Sequence, residues 1–183
     1  MRYTGIIVFV LIQIVAFSQE ENDPIEVTVE MQRKIKQEIN KELPKFKQNL
    51  EKGGYNESYK EFAIDTFKIE RFMSKWIDLD YRDFGMRDAI YEGAKLYDSI
   101  LNKYYRKLLS VLKGDDKKIL IQAQKAWLNF RDSEDKLISA IGKPEYSGGG
   151  TMQQLTDASL YLDIVKNRTN NLFDHYVRAV HDE

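Results

Sequence analysis

LYDSILNKYYRKLLSVLKGDDKKILIQAQKAWLNFRD, residues 96–132, holds two helical patterns joined by a short break at Lys113-Gly114-Asp115. The first pattern places Tyr97, Leu101, Tyr104, Leu108 and Leu112 at three- and four-residue steps. The second places Leu120, Ala123, Trp127, Phe130 and Arg131 on one side. Side chains three or four apart share one face of a helix, so both periods are helical. Gly114 suits a helix C-terminus, and Asp115 or Asp116 suits the N-terminus that follows, where an acid meets the positive end of the dipole. The stretch therefore predicts an antiparallel helical hairpin on which the other helices pack.

Outward from the hairpin, the same period recurs. Met31, Ile35, Ile39, Leu43, Phe46 and Leu50 keep it amid many charges, and Pro44 predicts a kink or two shorter helices, since proline lacks the N–H and crowds the preceding turn. The Lys/Glu pattern around these residues reads as a solvated face with i,i+4 pairs. Gly53-Gly54 breaks the chain, and Ser58-x-x-Glu61 is a capping-box pattern opening a second helix. That helix carries Phe62, Phe67, Ile69, Phe72, Trp76 and Ile77, which read as core. DLDYRDFG, residues 78–85, is a loop with Asp83 near the next cap; it lacks the acid spacing and closing Glu of a calcium loop. Helices follow over 86–112 and 115–141. KPEYSGGG, residues 143–150, is a loop, and Thr151-x-x-Gln154 starts the last helix, with Leu155, Ala158, Leu162, Val165, Leu172 and Tyr176 on its apolar face. The expected fold is all-α, an elongated antiparallel bundle of about five helices.

Composition narrows the function. With 28 basic against 29 acidic residues the chain is near neutral, which argues against nucleic acid as a partner. The absence of cysteine excludes disulfides, thiolate metal sites and a Cys nucleophile. His175 and His181 are not at a same-face ligand spacing, and no cofactor or metal site is expected. No nucleophile elbow, zinc helix, phosphate loop or dinucleotide turn is present, so no catalytic residues are assigned. Arg2, the apolar run over 5–17 and Ala16-Phe17-Ser18 predict a signal peptide over 1–18, cleaved before Gln19. The mature protein would be periplasmic or secreted, with no stable membrane span.

Asp98-x-x-Leu101-Asn102-x-x-Tyr105, followed by Ala123-Gln124-x-Ala126-Trp127-x-x-Phe130-Arg131-Asp132, resembles the N-terminal domain of the LprI-like lysozyme-inhibitor family. Gly148-Gly149-Gly150 and Arg168 fit its downstream pattern, and the resemblance covers 86–172. It implies four cysteines, at positions corresponding to Ile77, Ala89, Asp135 and Leu160. This chain has none and must hold its helices by packing alone. The implied domain plan is a charged helical region over 25–60 and an LprI-like helical domain over 61–183. The implied function is binding and inhibition of a lysozyme-type hydrolase by steric block of its cleft. A non-catalytic envelope structural or adaptor protein on the same scaffold is the alternative.

Two sets of residues are candidates for a role. Asp98, Asn102, Gln124, Arg131, Asp132 and Arg168 are polar within apolar faces, with Tyr105, Trp127 and Phe130 beside them. An Arg facing a core needs a carboxylate or carbonyl, and Asp98 on the neighbouring helix is the natural partner for Arg131. This set reads as a network fixing helix register. The second set is Glu145, Tyr146, Ser147, Gly148, Gly149 and Gly150. Protein inhibitors of lysozyme often insert a projecting loop, and here a ring, a hydroxyl and close-approaching glycine backbone stand together.

Overall fold

The computed structural model describes residues 23–180, which form six helices and no strand. They are α1 (Val29–Lys52), α2 (Glu57–Leu79), α3 (Asp83–Val111), α4 (Gly114–Ile141), the single turn α5 (Pro144–Ser147) and α6 (Thr151–Val180). The fold is the expected all-α bundle. The expected leader over 1–18 and His181 lie outside the described residues.

Cross-contacts give each helix its direction. Glu42 meets Arg71 and Glu38 meets Lys75, so α1 and α2 run antiparallel. Lys107 donates to Glu61 and Tyr97 to Glu70, so α2 and α3 are antiparallel too. Arg87 reaches Gln154, Thr169 reaches the Tyr97 carbonyl, and Tyr104 meets Phe173 and Tyr176, so α3 and α6 run parallel. α4 is the return limb that makes this possible, antiparallel to both, with Gln124 against Arg168 and Arg131 facing Asp98.

The two limbs of the expected hairpin run antiparallel, but they stand apart with little direct contact, and each packs on α6 instead. The principal partner of α3 is α6. Tyr97, Leu101, Tyr104 and Leu108 are buried as expected and join Val165, Leu172 and Phe173 of α6 in the main core. On α4 only Leu120 and Gln124 are buried. Ala123 and Phe130, expected inside, face solvent, and Phe130 is 52% exposed. The inward stripe of α4 is Leu120, Gln124, Trp127 and Arg131, half of it polar, so it offers little apolar area to bury. The missing seam is filled by α6, whose Ala158, Val165, Thr169 and Leu172 present a small, fully covered stripe. A second core joins α1 to α2 and α3 through Ile35, Ile39, Phe72, Trp76 and Ala89.

Several local expectations are corrected. α1 passes through Pro44 as one helix rather than two. Pro44 is exposed, and so is Asn40, whose carbonyl would have received the missing N–H, so solvent meets the lost bond. Ser58 and Glu61 do not form a capping box: Asn56 caps α2, accepting from the Tyr59 N–H at 2.8 Å, and Glu61 is taken up by Lys103 and Lys107. Thr151 donates to Asp83 and Gln154 accepts from Arg87, so both tie α6 to α3 instead of to each other. The 78–85 loop shrinks to three residues, because α2 runs to Leu79 and α3 begins at Asp83. Asp80 fills the corner. It is 2% exposed and gripped by Arg82 Nε and Nη2 at 2.6 and 2.7 Å, which holds its carboxyl below the usual range.

Candidate functional site

The first candidate set converges on a cleft of about 300 Å³ between α3 and α4. Asp98, Asn102 and Tyr105 line it from α3, and Gln124, Leu128 and Arg131 from α4. Its polar groups are largely spent on one another. Asn102 donates to the Asp98 carboxylate at 2.9 Å and to its carbonyl at 2.8 Å. Arg131 takes Asp132, its chain neighbour, at 2.7 Å, while Asp98 stands off at 3.9 Å. The pairing of Arg131 with Asp98 expected from the sequence is thus the weaker of the two. Arg168 meets no carboxylate among the described residues. Its Nε and Nη2 donate to Gln124 Oε1 at 3.0 and 2.9 Å, and burial pushes its pKa down.

Trp127 is the hub of this network. The Arg131 guanidinium lies 5.5 Å from its ring centroid and that of Arg168 5.9 Å. Two cations against one indole give attraction of about 0.5–2 kcal/mol each, greater as water is excluded. The four-residue spacing of Trp127 and Arg131 pointed to their stacking; Arg168 was grouped with them as a polar residue on an apolar face, but its place against the Trp127 ring, 41 residues on, was not legible. Phe130 and Asp132 of the same motif face outward.

The second candidate set forms the turn between α4 and α6. Pro144 opens α5, where a fixed φ and an absent N–H suit the first helical position. Gly148 closes it in the left-handed conformation at φ 79°, and Gly149 and Gly150 follow at φ 73° and 96°. Three successive left-handed residues are accessible only to glycine without strain. Ser147 is the internal tie. Its Oγ donates toward the carbonyls of Gly142 and Lys143 at 2.9 and 3.1 Å and accepts from the Gly149 N–H at 3.1 Å. Tyr146 projects away at 71% exposure, with Glu145 exposed beside it. Ile141 and Met152, at 54% and 62%, flank the turn in sequence. Sequence reasoning singled out the loop but missed that Ser147 holds it together while Tyr146 and Glu145 project to solvent.

Among the described residues no cluster of three or more His, Asp or Glu side chains is arranged to hold a metal, and no helix is long and apolar enough to cross a membrane. The class defined so far is an all-α bundle presenting a stiffened, aromatic-tipped turn beside a polar helix–helix cleft. The family model of the lysozyme inhibitor LprI matches residues 79–172, half of the chain, and the chain belongs to that family. The match takes in α3, α4, the turn and most of α6. No curated protein and no solved structure matches the chain.

Proposed function

We propose that the protein binds a lysozyme-type muramidase and inhibits it by steric block of the cleft, with the 144–150 turn as the inserted element. The observation that carries this reading is the family membership of 79–172. Supporting it, Tyr146 is the most exposed aromatic of the described residues, on a turn whose backbone is held by Ser147 and three left-handed glycines. A pre-ordered turn loses little entropy on binding. Glycoside hydrolases of this kind work with a pair of carboxyl groups in their cleft. The Tyr146 phenol would donate to one of them, and the ring would fill space that a sugar otherwise takes. The inhibitor supplies no chemistry of its own.

The proposal places the protein outside the cytoplasm, in the periplasm or secreted, after removal of residues 1–18. Within it, 61–183 is the inhibitory unit, and the charged region over 25–60 is an accessory packed against it. The test is titration of purified protein into a panel of lysozymes of different types. Stoichiometric inhibition of at least one is expected. No inhibition of any type at micromolar concentration would leave the family scaffold serving the envelope as a structural or adaptor protein.

A further inference from the structure

A groove of about 400 Å³ lies between α1, α2 and α3, far in sequence from the 142–150 turn and sharing no residue with it. Ile39 of α1, Ile69 and Phe72 of α2, and Leu96 and Ile100 of α3 make its apolar floor. Its volume lies within the range of small-molecule sites, and it is an open groove rather than an enclosed cavity. It exists only because α1, outside the family match, packs on α2 and so stands beside α3, inside it.

The rim carries uncommitted positive charge. Lys36 Nζ hangs 5.2 Å from the Phe72 ring centroid, directly over the floor, and makes no ion pair among the described residues. α2 has four basic residues, and Lys60, Arg71 and Lys75 are each held by a carboxylate. Lys68, the fourth, lines the groove and is held by none among the described residues. The groove's one carboxylate, Asp65, is already neutralised by Lys103. Asn40 and Ser99 are its neutral polar side chains, both at the exposed edge, so a ligand rich in hydroxyls would find few partners along the floor. An apolar trough with two free ammonium groups at its lip suits the opposite chemistry.

We propose that this groove binds a free single-chain amphiphile with an anionic head, of the fatty-carboxylate type. The chain lies along Ile39, Phe72, Leu96 and Ile100, and the head sits between Lys36 and Lys68, whose flexible stems let the ammonium groups close on it. The proposal stands apart from the inhibitory reading.

Calorimetric titration of the purified protein with dodecanoate, below its micelle concentration, tests it. Saturable one-to-one binding is expected, weaker for octanoate and absent for dodecyltrimethylammonium, which has the same chain and the opposite head. Lys36→Glu with Lys68→Glu should weaken dodecanoate about tenfold or more, the scale of a lost charge-assisted contact, with an unchanged melting midpoint. Leu96→Trp, which fills the trough, should abolish binding. Equal binding of both head groups, indifference to the double charge reversal, or no binding at all would overturn the proposal. Binding only to vesicles of anionic phospholipid would overturn it in favour of a membrane-surface contact. Lysozyme inhibition by the double variant should equal that of the parent, so the two functions fail or stand separately.

Discussion

At the scale of single residues, one buried side-chain polar atom among the described residues has no hydrogen-bond partner. The Tyr104 hydroxyl is buried and unpartnered, at 0% residue exposure, whereas the Tyr97 hydroxyl donates to Glu70. Burial pushes the pKa of both phenols up. The two are a matched pair for substitution. Tyr104→Phe removes a desolvated group and should leave stability unchanged or raise it by up to ~1 kcal/mol, while Tyr97→Phe gives up a bond worth ~1 kcal/mol. Urea denaturation midpoints of the two variants distinguish them; equal losses would mean that Tyr104 has a partner. Gly85 makes the opposite case. A Cβ there would lie 2.2 Å from the Asp80 carboxyl carbon, and Arg82 holds that carboxylate in place. Gly85→Ala should cost about 1–3 kcal/mol, as overpacking does, although alanine is otherwise the better helix former. A melt as high as the parent's would show that the α2–α3 corner yields.

At the scale of elements, the turn after α4 divides its labour between neighbours. Tyr146→Ala should leave the melting midpoint within ~0.5 kcal/mol of the parent, since the ring touches little, yet weaken lysozyme binding at least about tenfold. Ser147→Ala should cost ~1 kcal/mol and raise hydrogen exchange at Gly149, because the Oγ that organises the turn is gone. If Ser147→Ala alone abolishes inhibition with an unchanged melt, the hydroxyl rather than the phenol is the contact. The contrast also shows how far sequence reasoning reaches. Helix spans from the 3.6-residue period came out within a few residues, because periodicity reports which side is buried. Caps did not: Ser58-x-x-Glu61 and Thr151-x-x-Gln154 have the spacing of a capping box, but Lys103, Lys107, Asp83 and Arg87 on other helices compete for the same atoms. Spacing along one chain cannot reveal a partner supplied from across the bundle. The loop was legible as glycine-rich and exposed; the bonds of Ser147 to Gly142, Lys143 and Gly149 were not, because they depend on the backbone path of the turn rather than on residue type.

At the scale of the whole molecule, the pairing order of the helices was the least legible feature. The hairpin at 96–132 was evident, but the parallel seating of α6 on α3 depends on small residues such as Ala158 and Thr169, whose weight in a periodic pattern is slight. The seating of α1 adds a set of charge contacts to the burial of Ile35 and Ile39. Glu42 accepts from Arg71 at 2.8 Å and lies 3.1 Å from Lys75, while Glu38 holds the other side of Lys75 at 3.0 Å. The bonds from Arg71 and then Lys75 bring the Glu42 carboxyl from 4.5 down to about 2. A carboxyl with a lowered folded-state pKa stabilises the folded form in full above its unfolded value and loses that contribution as pH falls through the folded value. The α1–α2 seam should therefore hold down to about pH 4.5 and weaken from there towards pH 2. Partial exposure of the pair screens the effect, so α1 should loosen before the α3–α6 core opens. Trp76, buried in the α1–α2 core, reports the event, with Trp127→Phe removing the other indole. Its emission should shift to the red in acid while the far-ultraviolet helical signal persists. Glu42→Gln should show a loosened seam already at neutral pH and a flatter acid transition. An acid transition identical in Glu42→Gln and the parent would mean that apolar packing alone seats α1.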